Sequence, residues 1–154
     1  MEDAGVKYLW DTTLLYPAPN SAELERDFSA AASGARQFRG KYFGKISDLD
    51  ADGLKEALVE YEALEEVIVK PQLYAHLLFS ADSGSDVNKA LSQRAAEFGN
   101  LMSRELLFFD LEIMAIPDDV VAGFSGEAGL AGYRHYIALI RKSKPHILPE
   151  REER

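Results

Sequence analysis

The stretch LKEALVEYEALEEVIVKPQLYAHLLFSAD, Leu54 to Asp82, decides the fold. Its apolar residues fall at Leu54, Leu58, Tyr61, Leu64, Ile68, Pro71, Tyr74 or Ala75, and Leu78. That is the i, i+3, i+4, i+7 spacing of one buried helix face. Lys55, Glu56, Glu60, Glu62, Glu65 and Glu66 occupy the other face, which predicts a solvated surface there. Asp50 or Asp52 is placed to cap the start, where carboxylates also suit the positive end of the helix dipole. Pro71 interrupts the pattern, because a proline inside a helix removes one hydrogen bond and crowds the preceding turn, at a cost of about 3 kcal/mol. The apolar phase continues beyond it, so the stretch predicts a kink and not a stop.

Working outward towards the N-terminus, Asn20 with Glu23 three residues on resembles a capping box. Leu24, Phe28, Ala31, Ala32, Ala35, Phe38 and Tyr42 then keep helical spacing, so a first helix is predicted to end near residues 40–44. Its alanines would allow a neighbouring helix to come close. Before it, KYLWDTTLLYPAPN has no helical period. Trp10, Leu14, Leu15 and Tyr16 in that segment predict an extended arm, residues 1–19, packed across the helices, with Trp10 in the core.

Towards the C-terminus, SADSGSD supplies a turn, with Ser85 or Asp86 as the next cap. A helix from Val87 to about Met114 follows, burying Leu91, Phe98, Leu101, Met102, Leu106, Phe109 and Ile113. Its portion LMSRELLFFDLEIM is apolar around much of its circumference, as in a helix that is central to its domain or covered by something else. IPDDVVAGF reads as a short helix entered at Pro117. After the SGEAG loop, Leu130, Tyr133, Tyr136 or Ile137, and Ile140 form a last amphipathic helix. Arg141, Lys142 and Lys144 suit the negative end of its dipole, and Pro145 ends it. In HILPEREER, Pro149 and the acids after it read as the first turn of another helix, leaving two readings open: a charged tail, or the front piece of a longer protein. No period-two pattern or internal repeat is visible. The expected class is all-α, an up-and-down antiparallel bundle of four or five helices.

The 154 residues suit one domain with a real core. A net charge of -9, with acids concentrated between Asp48 and Glu66, argues against a nucleic-acid partner. No apolar run is long enough for a membrane span and MEDAGVKYLWD lacks the order of a signal peptide, so a cytoplasmic location is expected. The chain has no cysteine, which excludes disulfides, thiolate zinc sites and cysteine nucleophiles.

Catalytic patterns are missing as well. A hydrolytic zinc helix needs two histidines four apart, HExxH, and His76, His135 and His146 have no such neighbour. A bundle di-iron site wants a glutamate three residues before a histidine, but those positions hold Leu73, Gly132 and Ser143. Phosphate loops, dinucleotide fingerprints and GxSxG elbows are absent. His76 beside the core stripe reads as a packing or boundary residue. The cluster Tyr133, Arg134, His135 and Tyr136 reads as packing, with a groove lining as the alternative. No catalytic, cofactor-binding or metal-binding residue is assigned, and the chain by itself is not expected to be an enzyme.

In order along the chain, WDTTLLYP, EYEALEE with YAHLLFSAD, ELLFFDLEI, and YRHYIALIRKSKPHILPEREE resemble the N-terminal region of the oligoendopeptidase F group of M3 zinc metallopeptidases. The resemblance runs from Tyr8 to Glu153. It implies a cytoplasmic peptidase that cuts short peptides in a channel between largely helical halves. Its zinc would be held by HExxH and a later glutamate, none of which is in this chain; zinc would belong to the full-length parent. Residues 20–148 would form a helical domain walling the channel, with its own C-terminal catalytic domain as partner and oligopeptides as substrate. The resemblance favours a fragment, with 149–154 opening a truncated helix that leads to an absent catalytic domain, and Pro71 a place to bend around the channel. Separated from its partner, such a piece is expected to expose apolar surface and self-associate. The alternatives are a free-standing α-helical interaction module or dimer, and a small enzyme using the Tyr133–Tyr136 cluster.

Overall fold

A computed structural model describes residues 11–124 and 127–142. Among them are five α-helices and no strand: α1 Ala22–Tyr42, α2 Ala51–Ala81, α3 Asp86–Ala115, α4 Asp118–Phe124 and α5 Arg134–Arg141. Three 3-10 turns accompany them, at Thr12–Leu14, Ile46–Asp48 and Ala128–Tyr133. The all-α bundle expected from the periodicity is what forms. Trp10, Lys144, Pro145, His146 and the 149–154 segment lie outside the described residues.

The helix starts are set by short polar side chains, as helix ends require. Ser21, and not Asn20, caps α1: its Oγ accepts from the Leu24 N–H at 3.3 Å. Asp50 caps α2 by accepting from the Gly53 N–H at 2.8 Å. Ser85 caps α3 through the Asn88 N–H at 3.4 Å, while the Asn88 amide donates to the carbonyls of Leu78 and Asp82, both at 3.1 Å. One asparagine thereby closes the end of α2 and the start of α3. Helix α2 runs through Pro71 without a break. The Gln72 amide donates to the Ile68 carbonyl at 3.0 Å one turn back.

The chain divides into two compact units, 1–33 with 65–102, and 34–64 with 103–154. In the first, Tyr16, Leu24, Phe28, Tyr74, Ala75, Leu91 and Ala95 form one buried cluster. Tyr16 meets Tyr74 edge-on at 5.0 Å and Phe28 meets Phe98 at 4.9 Å between ring centres. The Tyr16 hydroxyl donates to Asp27 at 2.6 Å, and Lys70 reaches the same carboxylate at 3.0 Å. Arg94 grips Glu25 with both nitrogens, one at 2.8 Å. Contacts 16–74 and 27–70 run the first segment antiparallel to α2, and contacts 25–94 and 28–98 run α1 parallel to α3, the up-and-down order.

The arm departs from the expectation in one respect. Residues 12–14 of the expected extended arm form a 3-10 turn, and Leu14 is 88% exposed. Asp11 accepts from the Thr13 N–H at 3.0 Å and starts that turn. With three residues per turn, Tyr16 is carried inward to 1% exposure while Leu14 faces water.

In the second unit Phe38 is the hub, its ring 4.8 Å from Tyr42, 5.7 Å from Tyr61 and 5.1 Å from Phe109. Burying one such aromatic contributes roughly 1.5–3 kcal/mol. Gly34 permits close contact with α2, since a Cβ there would lie 2.9 Å from Leu64 Cδ1. The Gly34–Leu64 approach and the Lys41–Glu56 ion pair, 2.9 Å, again run antiparallel. Lys41 also pairs with Glu60. Two members of the acidic α2 face are therefore bound to α1 and not simply hydrated. Gly44, at φ +72°, turns the chain out of α1 in a conformation that costs a side-chain-bearing residue energy.

Candidate functional site

The predicted cluster at the start of the last helix splits by helical phase. The segment Leu130–Ile140 is a 3-10 turn that passes into α5 at Arg134. Tyr133 and Tyr136, three residues apart, are half-buried; Arg134 and His135 are exposed. The Tyr133 hydroxyl donates to Glu62 at 2.7 Å and the Tyr136 hydroxyl to Asp110 at 3.1 Å. Tyr136 sits 6.5 Å from Tyr61, which stacks on Phe109 at 4.7 Å. Burial pushes the Asp110 carboxyl above its ordinary range, although the Tyr136 hydrogen bond pulls the other way. Burial, then the charge of Asp110, pushes the Tyr136 phenol up in turn. A tyrosine this reluctant to ionise acts as a hydrogen-bond donor and not as a base. The two tyrosines pack α5 onto α2 and α3, the packing reading, while Arg134 lines the hollow beside them, the groove alternative.

Beside it, Val121, Phe124, Leu130, Arg134, Ile137, Ala138 and Arg141 line an open hollow of about 400 Å³. Its one deeply held charge is spoken for. The Arg141 guanidinium donates to the carbonyls of Ile113 at 2.9 Å, Met114 at 3.3 Å and Ile116 at 2.7 Å, and it pairs with Asp118. These are the carbonyls that the end of α3 leaves without helical partners. The sequence places Arg141 at the dipole of its own helix; the side chain instead caps the end of α3.

Glu112 plays a matching part at the other end. Its carboxylate accepts from the Gly44 N–H at 2.7 Å and the Ile46 N–H at 3.1 Å, holding the turn between α1 and α2. Sequence reasoning missed both clamps. Gly44 is a recognisable turn signal, but no local pattern links it to a glutamate 68 residues away.

His76 is exposed on α2 at the edge of a groove with α3, and His135 is exposed on α5. Among the described residues no three histidine, aspartate or glutamate side chains gather as metal ligands. No helix described is long and apolar enough to cross a membrane.

The ELLFFDLEI portion of α3 holds the most telling surface. Leu106, Phe108, Phe109 and Ile113 are buried, yet Leu107 is 55% and Leu111 41% exposed. Leu101, expected inside, is 41% exposed as well. An α-helix has more circumference than its own bundle covers, and Leu107 and Leu111 share the uncovered side, four residues apart.

A family model described as Oligopeptidase F matches residues 112–154. Oligopeptidase PepF of Bacillus subtilis (strain 168) is 32% identical over 114 residues, which cover 73% of this chain and 17% of PepF. This chain is similar to the N-terminal domain of oligoendopeptidase F. The resemblance drawn from the four sequence motifs is thereby supported by two independent comparisons. The chain spans about 17% of the length of the curated relative it matches. No solved structure matches it significantly. The Oligopeptidase F match begins at Glu112, the residue that clamps the Gly44 turn, and takes in the whole of α4 and α5.

Proposed function

We propose that this chain serves as the N-terminal, non-catalytic domain of an oligoendopeptidase F-like zinc metallopeptidase that hydrolyses short peptides in the cytoplasm. Residues 20–148 act as its helical domain, forming part of the wall of the channel that admits substrate and packing on the catalytic domain. The observation that carries this reading is the uncovered leucine pair Leu107 and Leu111 on the helix whose surroundings resemble the family. Two half-open leucines one turn apart on the helix offer the catalytic domain an apolar face to cover.

The contribution of this chain is shape: a helical face, rigidly backed by Phe109 and Ile113, that limits what reaches a catalytic centre built from other residues.

The test is made in the longest reading frame that contains this chain, using quenched-fluorescent peptides of graded length. The frame should encode HExxH, and a Leu107→Asp/Leu111→Asp pair should lower kcat/KM for short peptides by about tenfold, the equivalent of 1.4 kcal/mol. A frame without HExxH, or unchanged cleavage across all peptide lengths in the double variant, would overturn the proposal. Expressed alone, the 154-residue chain should self-associate through the same leucines. A strict monomer in sedimentation at high concentration counts against that part of the reading.

A further inference from the structure

A second surface lies in the unit made of residues 1–33 and 65–102. Val69, Leu73 and His76 rise on successive turns of α2, and Ser92, Ala95 and Ala96 face them from α3, enclosing an open groove of about 400 Å³. Its floor is closed by Ala75 and Ala95, 1% and 4% exposed, whereas Val69 and Leu73 on its wall are 49% and 45% exposed. Small residues on the α3 side would let a third helix backbone approach closely, and two half-open aliphatics one turn apart match helix-in-groove anchoring.

A polar side chain ties the two walls of the groove together. Gln72 lies across it towards α3 at Gly99, where a Cβ would fall only 2.5 Å from Gln72 Oε1. The Nε2 of that amide donates to the Ile68 carbonyl, and Oε1 lies against the α3 backbone at Gly99.

Charge selects the occupant. The described part of this unit carries nine carboxylates and four Lys/Arg side chains. All four cations are engaged: Arg26 with Glu23, Lys70 with Asp27, Lys89 with Asp86, and Arg94 with Glu25. Glu65 and Glu66, which precede Val69 by one turn, make no ion pair among the described residues. A second copy of this face would set carboxylates against carboxylates, which is unfavourable.

We propose that the groove between α2 and α3 receives an amphipathic helix with aliphatic anchors on Val69 and Leu73 and lysine or arginine side chains beside Glu65 and Glu66. Its anchors, Val69 and Leu73 with Glu65 and Glu66, are different residues from the Leu107 and Leu111 pair, so variants at one surface test it separately from the other.

The test titrates the isotopically labelled 154-residue chain with two synthetic helical peptides sharing one Ala/Leu face, one flanked by lysines and the other by glutamates. The lysine peptide should shift the methyl signals of Val69, Leu73 and Ala96 saturably and bind about tenfold or more tightly than the glutamate peptide, with charge governing selectivity. Glu65→Lys/Glu66→Lys should invert that preference, and Leu73→Asp, at an exposed position, should abolish both while leaving the helical circular dichroism intact. No methyl shift with the lysine peptide, equal affinity for both peptides, or an uninverted preference in the charge variant would overturn the proposal. So would a dimer lost on Leu73→Asp, which would make a second copy the occupant.

Discussion

Replacing Arg141 by alanine is the sharpest probe of the second unit. The guanidinium donates to three backbone carbonyls at the end of α3, and its side chain is 11% exposed. Asp118, its ion partner, is 83% exposed, so that pair adds little, below about 1 kcal/mol. The carbonyls dominate. A hydrogen bond to a charged donor is worth roughly 1.5–3 kcal/mol, but one guanidinium nitrogen shared by three acceptors cannot deliver three full bonds, and water enters where the arginine leaves. A loss of about 2–4 kcal/mol follows, equivalent to a fall in Tm of roughly 5–15 °C for a chain of this size. Arg141→Lys keeps the charge without the planar fork and should recover about half. Thermal unfolding by circular dichroism gives the magnitude, and amide exchange gives the place: protection should fall at Ile137 and Ala138 before it falls at Leu24 or Phe28. An unchanged Tm, or exchange that rises uniformly through the chain, would refute the capping argument.

Glu112→Ala removes the acceptor for two turn amides and should cost about 1–3 kcal/mol, with Glu112→Gln losing less because one oxygen remains; urea unfolding midpoints measure both. Asp27 tests pH dependence: burial raises its carboxyl, but hydrogen bonds from Tyr16 and Lys70 outweigh that and hold it below the ordinary 3.8. Its stabilisation is therefore complete above that ordinary value and lost as pH falls through the lower folded one, so the stability gap between wild type and Asp27→Asn should close only in strong acid. Tyr136→Phe takes away the hydrogen bond that partly offsets burial at Asp110, so the Asp110 carboxyl should titrate still higher, as read from its side-chain carbon shift; an unmoved or lowered value would show that the bond does not form.

Helical periodicity made the main elements legible because a buried face repeats along the chain. Leu24, Phe28, Ala31, Ala35, Phe38 and Tyr42 on α1, and Leu54, Leu58, Ile68 and Tyr74 on α2, are all buried as their spacing requires. Caps were readable to within one residue, since Asn20 and Ser21 both suit the position and only the backbone decides between them. Leu14 and Leu101 were misplaced for a different reason. Hydrophobicity shows that a residue gains from burial, and not that its neighbours leave room. The clamps at Glu112 and Arg141 were invisible because each joins residues distant in sequence through a single side chain, which leaves no period. Likewise the charge on Glu56 and Glu60 was legible, but their bond to Lys41 across α1 was not.

Those clamps bear on where a functional boundary can fall. The Oligopeptidase F match starts at Glu112, yet residues 112–142 do not close on themselves. Glu112 reaches back to Gly44 and Ile46, Tyr133 to Glu62, and Tyr136 to Asp110, each to a residue before the matched stretch. The backward contacts supply the turn between α1 and α2 with its acceptor and give the matched stretch its hold on α2 and α3. Severing the chain before Glu112 would strand the Gly44 and Ile46 amides and expose the Phe109 side of α3, at a cost beyond the few kcal/mol that separate folded from unfolded domains. The B. subtilis similarity, which covers 73% of the chain, fits that physical dependence better than the shorter match does. The matched stretch is therefore only as rigid as the α1–α2 turn that Glu112 holds, and a substitution at Gly44 should be felt at α5, which reaches that turn through both α2 and α3.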